Sequence, residues 1–187
     1  MPTVTTPKPR ERLIAAAETL FYGEGVHVGV DRLCDVAGVS KRSMYQHFGG
    51  KDEVIVEMLK VRAARLAEGW TTPETASPRR RILAVFESLQ DQATAAGFMG
   101  CPFVNVATEL KDPEHPASVA ALGYKVGLTA MLEDFARRGG ADDPEALAVQ
   151  LTMVFDGACA YSVVRGGVPT LAVPAVEALL DAHGVSR

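Results

Sequence analysis

Lys41, Arg42, Ser43, Tyr45, Gln46 and His47 crowd six hydrogen-bonding side chains onto one short stretch, with Ser40 just before it and Lys51 just after. Guanidinium, ammonium, hydroxyl and amide groups are the ones that bond phosphate oxygens and the edges of bases. Met44 and Phe48 stand four residues apart, so on a helix they turn inward together. Arg42, Ser43 and Gln46 then face outward at the spacing of base-edge readers. Lys41, Tyr45, His47 and Lys51 are placed for the phosphates flanking the groove, and Arg32 adds a further phosphate contact from the preceding segment. The chemistry implied is sequence-specific binding of double-stranded DNA.

A second chemistry is possible at Cys101. Gly100-Cys101-Pro102 reads as a helix start, with Pro102 suited to the first helical position. A thiol there lies at the positive end of the helix dipole, which predicts a lowered pKa and reactivity towards oxidants and electrophiles. Around it, Phe98, Phe103, Tyr124 and Phe155 are bulky groups expected to enclose an interior with Phe86, Met99, Met131 and Tyr161. Asn105, Glu109 and Asp156 are polar residues in apolar helical surroundings, and together with Cys101 and the rings of Phe98, Phe103, Tyr124 and Phe155 they are the candidate contacts for a small-molecule inducer. Cys34 and Cys159 sit in apolar contexts as packing residues. His27, His47, His115 and His183 form no HxxxH pair and no cysteine partnership, so neither a metal nor another cofactor is expected. A Cys–His nucleophile arrangement is likewise missing, which argues against an enzyme.

Helices must position these groups, because helical spacing recurs along the chain without strand alternation. Leu13, Ile14, Ala17, Leu20 and Phe21 predict a first helix ending at Gly23 and Gly25. Leu33, Val36 and Ala37 predict a second, stopped by Gly38, and Ser40 caps the third, with Val39 plugging the angle between the two. A fourth starts after Gly49-Gly50 and runs towards Leu66, and the segment from Trp70 to Pro78 is a linker by composition. Arg79-Arg80-Arg81 reads as its solvated edge. Ile82 to Ala93, Pro102 to Leu110, Val119 to Phe135, Leu147 to Ala158 and Ala172 to Ala182 complete an all-α chain of about nine helices. The boundaries expected are a helix-turn-helix DNA-binding domain over 8–54 and a larger ligand-binding and dimerisation domain over 55–187.

The charge balance agrees with that division. Residues 1–51 hold seven Lys/Arg against five Asp/Glu, a net +2, and the remainder holds 12 against 18, a net −6, giving the −4 of the whole chain. The positive bias therefore sits on the DNA-reading segment. Residues 1–10 lack the apolar run of a signal peptide, and no later segment is expected to span a membrane. Three widely spaced cysteines suit a reducing cytoplasm.

The order of a first helix, then Asp31-Arg-Leu-Cys-Asp-Val-Ala-Gly-Val-Ser-Lys-Arg-Ser-Met-Tyr-Gln-His-Phe48, then Lys51-Asp-Glu, resembles the amino-terminal domain of the tetracycline-repressor (TetR) family. The likeness covers about Arg10 to Leu59, and Tyr45-x-His47-Phe48 followed by Lys51 is its most diagnostic part. It implies a homodimeric transcription regulator of nine or so helices, the last two forming the dimer interface, here with Leu151, Val154, Phe155 and Ala158 at the seam. A palindromic operator released by a small-molecule inducer is the implied action. The segment from Gly100 to Glu109 also resembles electrophile-responsive members, implying as an alternative a thiol-based sensor acting through Cys101. Two departures stand out: Val28-Gly29 replaces the usual Thr or Ser cap of the second helix, and Arg42 occupies a place that is often Gly.

Overall fold

The computed structural model describes residues 7–186, and among these the chain forms helices and no strands. Residues 1–6 of the leader reading and Arg187 of the second predicted domain lie outside the described residues. The helices are α1 (Pro9–Gly23), α2 (Val30–Ala37), α3 (Lys41–His47), α4 (Lys51–Gly69), α5 (Pro78–Ala93), α6 (Pro102–Leu110), α7 (Pro116–Arg138), α8 (Pro144–Arg165) and α9 (Ala172–Ala182).

Local chemistry accounts for most boundaries. Proline stands in the first turn of α1, α5, α6, α7 and α8, where a missing N–H costs nothing. Gly38 closes α2 in the left-handed region (φ 59°, ψ 39°), which glycine adopts without a Cβ clash. The Ser40 hydroxyl then accepts from Ser43 N at 3.1 Å, starting α3 after a three-residue turn.

Helices α1 to α3 pack on one another, and α1 also lies against α4. Helix α7 is the spine of the remainder, touching α4, α5, α6 and α8, with α9 closing against α5 and α8. Buried side chains run as one cluster from Leu13 to Val185, so the small and large helical groups share a continuous apolar interior.

Several expectations need revision. Val36 faces solvent, and Leu33, Cys34 and Ala37 carry the burial of α2. Trp70 caps the end of α4 and packs on Tyr124 and Phe155 instead of starting a solvated linker. Arg79 is buried: it pairs with Asp181 at 2.7 Å and donates to Val185 O at 3.2 Å, pinning α5 to the chain end. Met99 and Tyr161 are exposed, so they do not help enclose the interior. Finally, α8 is long and apolar enough to cross a membrane by length and composition, against the sequence expectation. Its periodicity is hard to read because it is apolar on two faces. Leu147, Leu151, Phe155 and Ala158 turn into the core, while Val149, Met153, Tyr161 and Val164 are exposed.

Candidate nucleic-acid interface and regulatory cavity

Met44 and Phe48 are both sealed under α3, as their spacing requires. Lys41, Arg42, Tyr45, Gln46 and His47 are consequently exposed on its outer side, and Ser43 is half-buried. Arg10 stacks its guanidinium 5.4 Å from the Phe48 ring, bracing α3 against α1.

Three of the predicted phosphate donors have partners within the protein. Arg32 is held by Glu24 through two hydrogen bonds of 3.0 and 2.6 Å. Lys41 pairs with Asp31 across the turn. Lys51 is the least free: its ammonium donates to Val26 O at 2.8 Å, so it braces the α1–α2 loop as well as standing at the start of α4. Ser40 is engaged as the α3 cap. Arg42, Tyr45, Gln46 and His47 make no hydrogen bond or ion pair among the described residues, so these remain the side chains available to a duplex.

The reading unit is tied to the rest of the chain by contacts that sequence reading missed. Glu109, predicted to touch ligand, sits at the far end of α6 and reaches the α1–α2 loop. Its carboxylate accepts from Val26 N at 2.8 Å and His27 N at 2.9 Å, and the His27 ring Nδ1 lies 3.0 Å away. Burial pushes this carboxyl up, but the amides of Val26 and His27 and the imidazole outweigh it, holding the group below the usual carboxylate range. Gly25 makes the approach possible. It has φ +104°, and a Cβ there would come within 2.8 Å of both carboxylate oxygens. Tyr22 makes a second tie, donating to Gly100 O at 2.9 Å and accepting from Met99 N at 2.8 Å. A third tie runs from His115, which caps α7, to Asp52 at 3.4 Å.

The loop gripped by Tyr22 leads into a cavity of about 200 Å³ whose walls include Gly100, Cys101, Asn105, Asp156, Cys159 and Val163. Of the predicted ligand contacts, Cys101 and Asp156 line this cavity, whereas the Phe103, Tyr124 and Phe155 rings belong to the packed aromatic core and not to its lining. Asn105 lines the cavity, but its amide donates to Met99 O at 2.7 Å and so fixes the loop. Phe98 lines a separate surface hollow with Tyr22, Arg62 and Gly97. Asp156 accepts from Lys125 at 2.5 Å.

Burial weighs against the predicted activation of Cys101. Burial pushes its thiol up, and the amides of Val104 and Phe103 at the helix start and the Lys125 charge offset only part of this. Cys34 and Cys159 are raised as well, in both cases first by burial. We expect maleimide to label all three thiols slowly in the folded protein at neutral pH and fast after denaturation, read by mass mapping. Fast native labelling confined to Cys101 would contradict this.

An all-helical chain with an exposed donor face on the second helix of a helix-turn-helix, tied to a larger helical body with a cavity, defines a one-component DNA-binding regulator. Residues 13–58 match the sequence profile of the bacterial regulatory proteins of the tetR family. A TetR-type regulator from Streptomyces avermitilis superposes with a TM-score of 0.90 at 48% identity, covering 96% of this chain and 100% of that one. The transcriptional regulator TtgR of Pseudomonas putida is 27% identical over 164 residues, 79% of this chain and 77% of TtgR. The transcriptional activator FasR of Mycolicibacterium smegmatis is 35% identical over 85 residues, a match spanning 44% of this chain and 39% of FasR. The chain belongs to the TetR family of transcriptional regulators. It is a DNA-binding transcriptional regulator and not an enzyme.

Proposed function

We propose that two copies of this chain form a cytoplasmic repressor that binds a near-palindromic operator and leaves it when a small molecule enters the cavity lined by Cys101 and Asp156. Residues 8–54 act as the reading unit and 55–187 as the ligand-binding and dimerisation unit. The observation that carries the reading is the Glu109 bridge. The same α6 that walls the cavity near its start holds the α1–α2 loop by a carboxylate near its end. A ligand that displaces α6 therefore displaces the base of the reading unit. It releases DNA to the extent that it binds the displaced state more tightly.

In the dimer, the exposed face of α8 (Val149, Met153, Tyr161 and Val164) meets its copy, aided by the small outward residues Pro174, Ala175 and Ala178 of α9. This placement replaces the predicted seam, since Leu151 and Phe155 face their own core. A groove of about 290 Å³ between α8 and the segment leading into α9, lined in part by Gly157, Tyr161 and Leu171, lies beside that face. Burial of this face against a copy also explains why α8 is apolar enough to resemble a membrane span. Twofold symmetry then sets two copies of α3 about 34–36 Å apart, one turn of DNA.

Selection of bound sequences from a random duplex library tests the reading. Arg42→Ala should relax preference at one base position and cost about 1–3 kcal/mol if the guanidinium bonds a base bidentately. Lys51→Ala should weaken binding to all duplexes alike, because its ammonium braces the α1–α2 loop through Val26 O. Recovery of no preferred sequence, or unchanged preference in Arg42→Ala, would remove α3 as the reader. A reporter carrying the recovered site separates repression from activation.

The second reading, a thiol-switched repressor, draws on Cys101 and Cys159 lining one cavity. Operator release by peroxide or maleimide in wild type and its loss in Cys101→Ser would support it. The burial of both thiols favours the reversible ligand.

A further inference from the structure

Arg62, on α4, is half-buried with its guanidinium 4.4 Å from the centre of the Tyr22 ring. It forms no salt bridge among the described residues, although an arginine drawn away from open water is normally paired. The carboxylates of neighbouring turns are taken. Glu18, one turn before Tyr22 on α1, pairs with Arg65 at 2.7 Å, and Glu57 pairs with Arg10 and Lys60. Burial raises the Tyr22 phenol, and the Met99 amide and the Arg62 charge offset part of that rise. The phenol oxygen is itself engaged by Met99 N and Gly100 O.

Tyr22 and Arg62 line a hollow of about 310 Å³, inside the range of roughly 300–1,000 Å³ typical of small-molecule sites. Ala95, Ala96 and Phe98 supply an apolar wall, and Gln92 completes it from the end of α5. No carboxylate lines this hollow, whereas the hollows beside Arg79, Pro73 and Cys101 each include at least one. Gln92 Nε2 donates to Ser88 Oγ at 3.2 Å, which leaves Arg62 as the charged donor of the wall. A guanidinium laid on a ring still has N–H donors along its edge, set at the spacing of a carboxylate. The hollow thus joins one uncompensated positive charge to a short apolar surface.

We propose that this hollow binds a small organic monocarboxylate, its oxygens on the Arg62 guanidinium and its apolar body against Ala95, Ala96 and Phe98. The carboxylate supplies the counter-charge that the fold withholds from Arg62. A neutral ligand of the same shape leaves that charge unpaired, and a cation is repelled. Free phosphate pairs with the charge and leaves the apolar wall uncovered. The site also stands where three segments meet. Arg62 belongs to α4, Tyr22 to the last turn of α1, and Ala95 to Phe98 lead into the loop that Tyr22 grips at Met99 and Gly100. An occupant therefore ties the reading unit to the regulatory body at a second place besides Glu109. It favours the arrangement that carries the Glu109 bridge, so it strengthens operator binding and opposes the inducer. The binding site stands without the inducer reading above; its effect on the operator rests on that reading.

The full chain, without DNA, is titrated by calorimetry with benzoate, benzamide, acetate, inorganic phosphate and benzyltrimethylammonium. Benzoate is expected to bind at one site per chain, and each of the other four at least tenfold more weakly. Arg62→Gln removes the charge and should weaken benzoate about tenfold or more, with the melting temperature equal or higher. Arg62→Lys keeps the charge without the fork and should fall between the two. Ala96→Phe fills the hollow from an exposed position and should also weaken benzoate about tenfold, so it carries the test if Arg62→Gln does not fold. Benzoate that fails to bind, benzamide or phosphate that binds as well as benzoate, or undiminished benzoate affinity in Arg62→Gln or Ala96→Phe overturns the proposal. Saturating benzoate should raise operator affinity about fivefold in wild type and not in Arg62→Gln. Benzoate bound with operator affinity unchanged keeps the site and overturns its regulatory role.

Discussion

Met153→Asp is expected to turn the dimer into a folded monomer and to weaken operator binding at least 100-fold. Met153 is 69% exposed in the single chain and stands mid-helix on the α8 face, with Val164, 80% exposed, further along it. In a twofold seam the same residue comes from both chains, so the substitution places two carboxylates in an apolar contact without partners. Their desolvation and mutual repulsion oppose association, while the core beneath, built from Leu147, Leu151 and Phe155, is untouched. Loss of the dimer also removes the link between half-sites, so each α3 must bind by itself. Sedimentation at micromolar concentration and far-ultraviolet circular dichroism check the two halves. Phe155→Asp is the contrasting case: Phe155 is 3% exposed and packed against Phe86 and Trp70, so a charge there should unfold the protein. A Met153→Asp protein that sediments as a dimer with full operator affinity would refute the proposed seam.

Glu109→Ala is expected to lower operator affinity about tenfold and to blunt the response to inducer while leaving the helical content intact. The substitution frees the Val26 and His27 amides from the one carboxylate that holds both. The α1–α2 loop would keep Lys51 on Val26 O, so the reading unit loosens without coming apart. A less ordered reading unit pays more entropy on binding DNA, and a severed bridge passes on less of any movement of α6. Glu109→Gln should be intermediate, since an amide oxygen accepts at most part of what two backbone donors and an imidazole supply to a carboxylate. The bridge also has a pH signature. Its carboxyl lies below the usual range in the folded protein, so it contributes fully above the unfolded value and fades as pH falls through the lowered folded one. Part of the acid sensitivity of wild-type binding should therefore vanish in Glu109→Ala. Fluorescence anisotropy across acidic to neutral pH measures this, and equal affinity, pH dependence and inducer response in the two proteins would rule the bridge out.

Both predictions concern residues whose importance was hidden in the sequence. Periodicity placed α6 and α9 at their observed limits, and local chemistry alone set the turn at Gly38, the cap at Ser40 and the inward pair Met44 and Phe48. These features depend on contacts within a few residues, which composition and spacing encode directly. The exposed face of α3 follows from the same inward pair, so the outward placement of the proposed DNA-reading side chains was legible too.

Contacts between distant segments were not. An apolar residue on α8 declares that it will be covered, but not whether by its own core or by another chain, so Phe155 was assigned to the seam and Met153 was passed over. A carboxylate in apolar surroundings declares that it needs donors, but not that Glu109 would find them 82 and 83 residues back at His27 and Val26. Trp70 and Arg79 carried linker composition yet were drawn inward by partners on α7, α8 and the chain end. For Cys101 the local rule of a thiol at a helix start pointed to activation, and burial, a property of the packed interior, reversed its sign. The sequence by itself determined the helices, the turn and the exposed face of α3 proposed to read DNA, because each rests on short-range sterics and capping. Only the tertiary structure decided which groups join the reading unit to the cavity and which thiol and carboxylate are altered by their surroundings. Desolvation and long-range pairing exist only once the chain has packed.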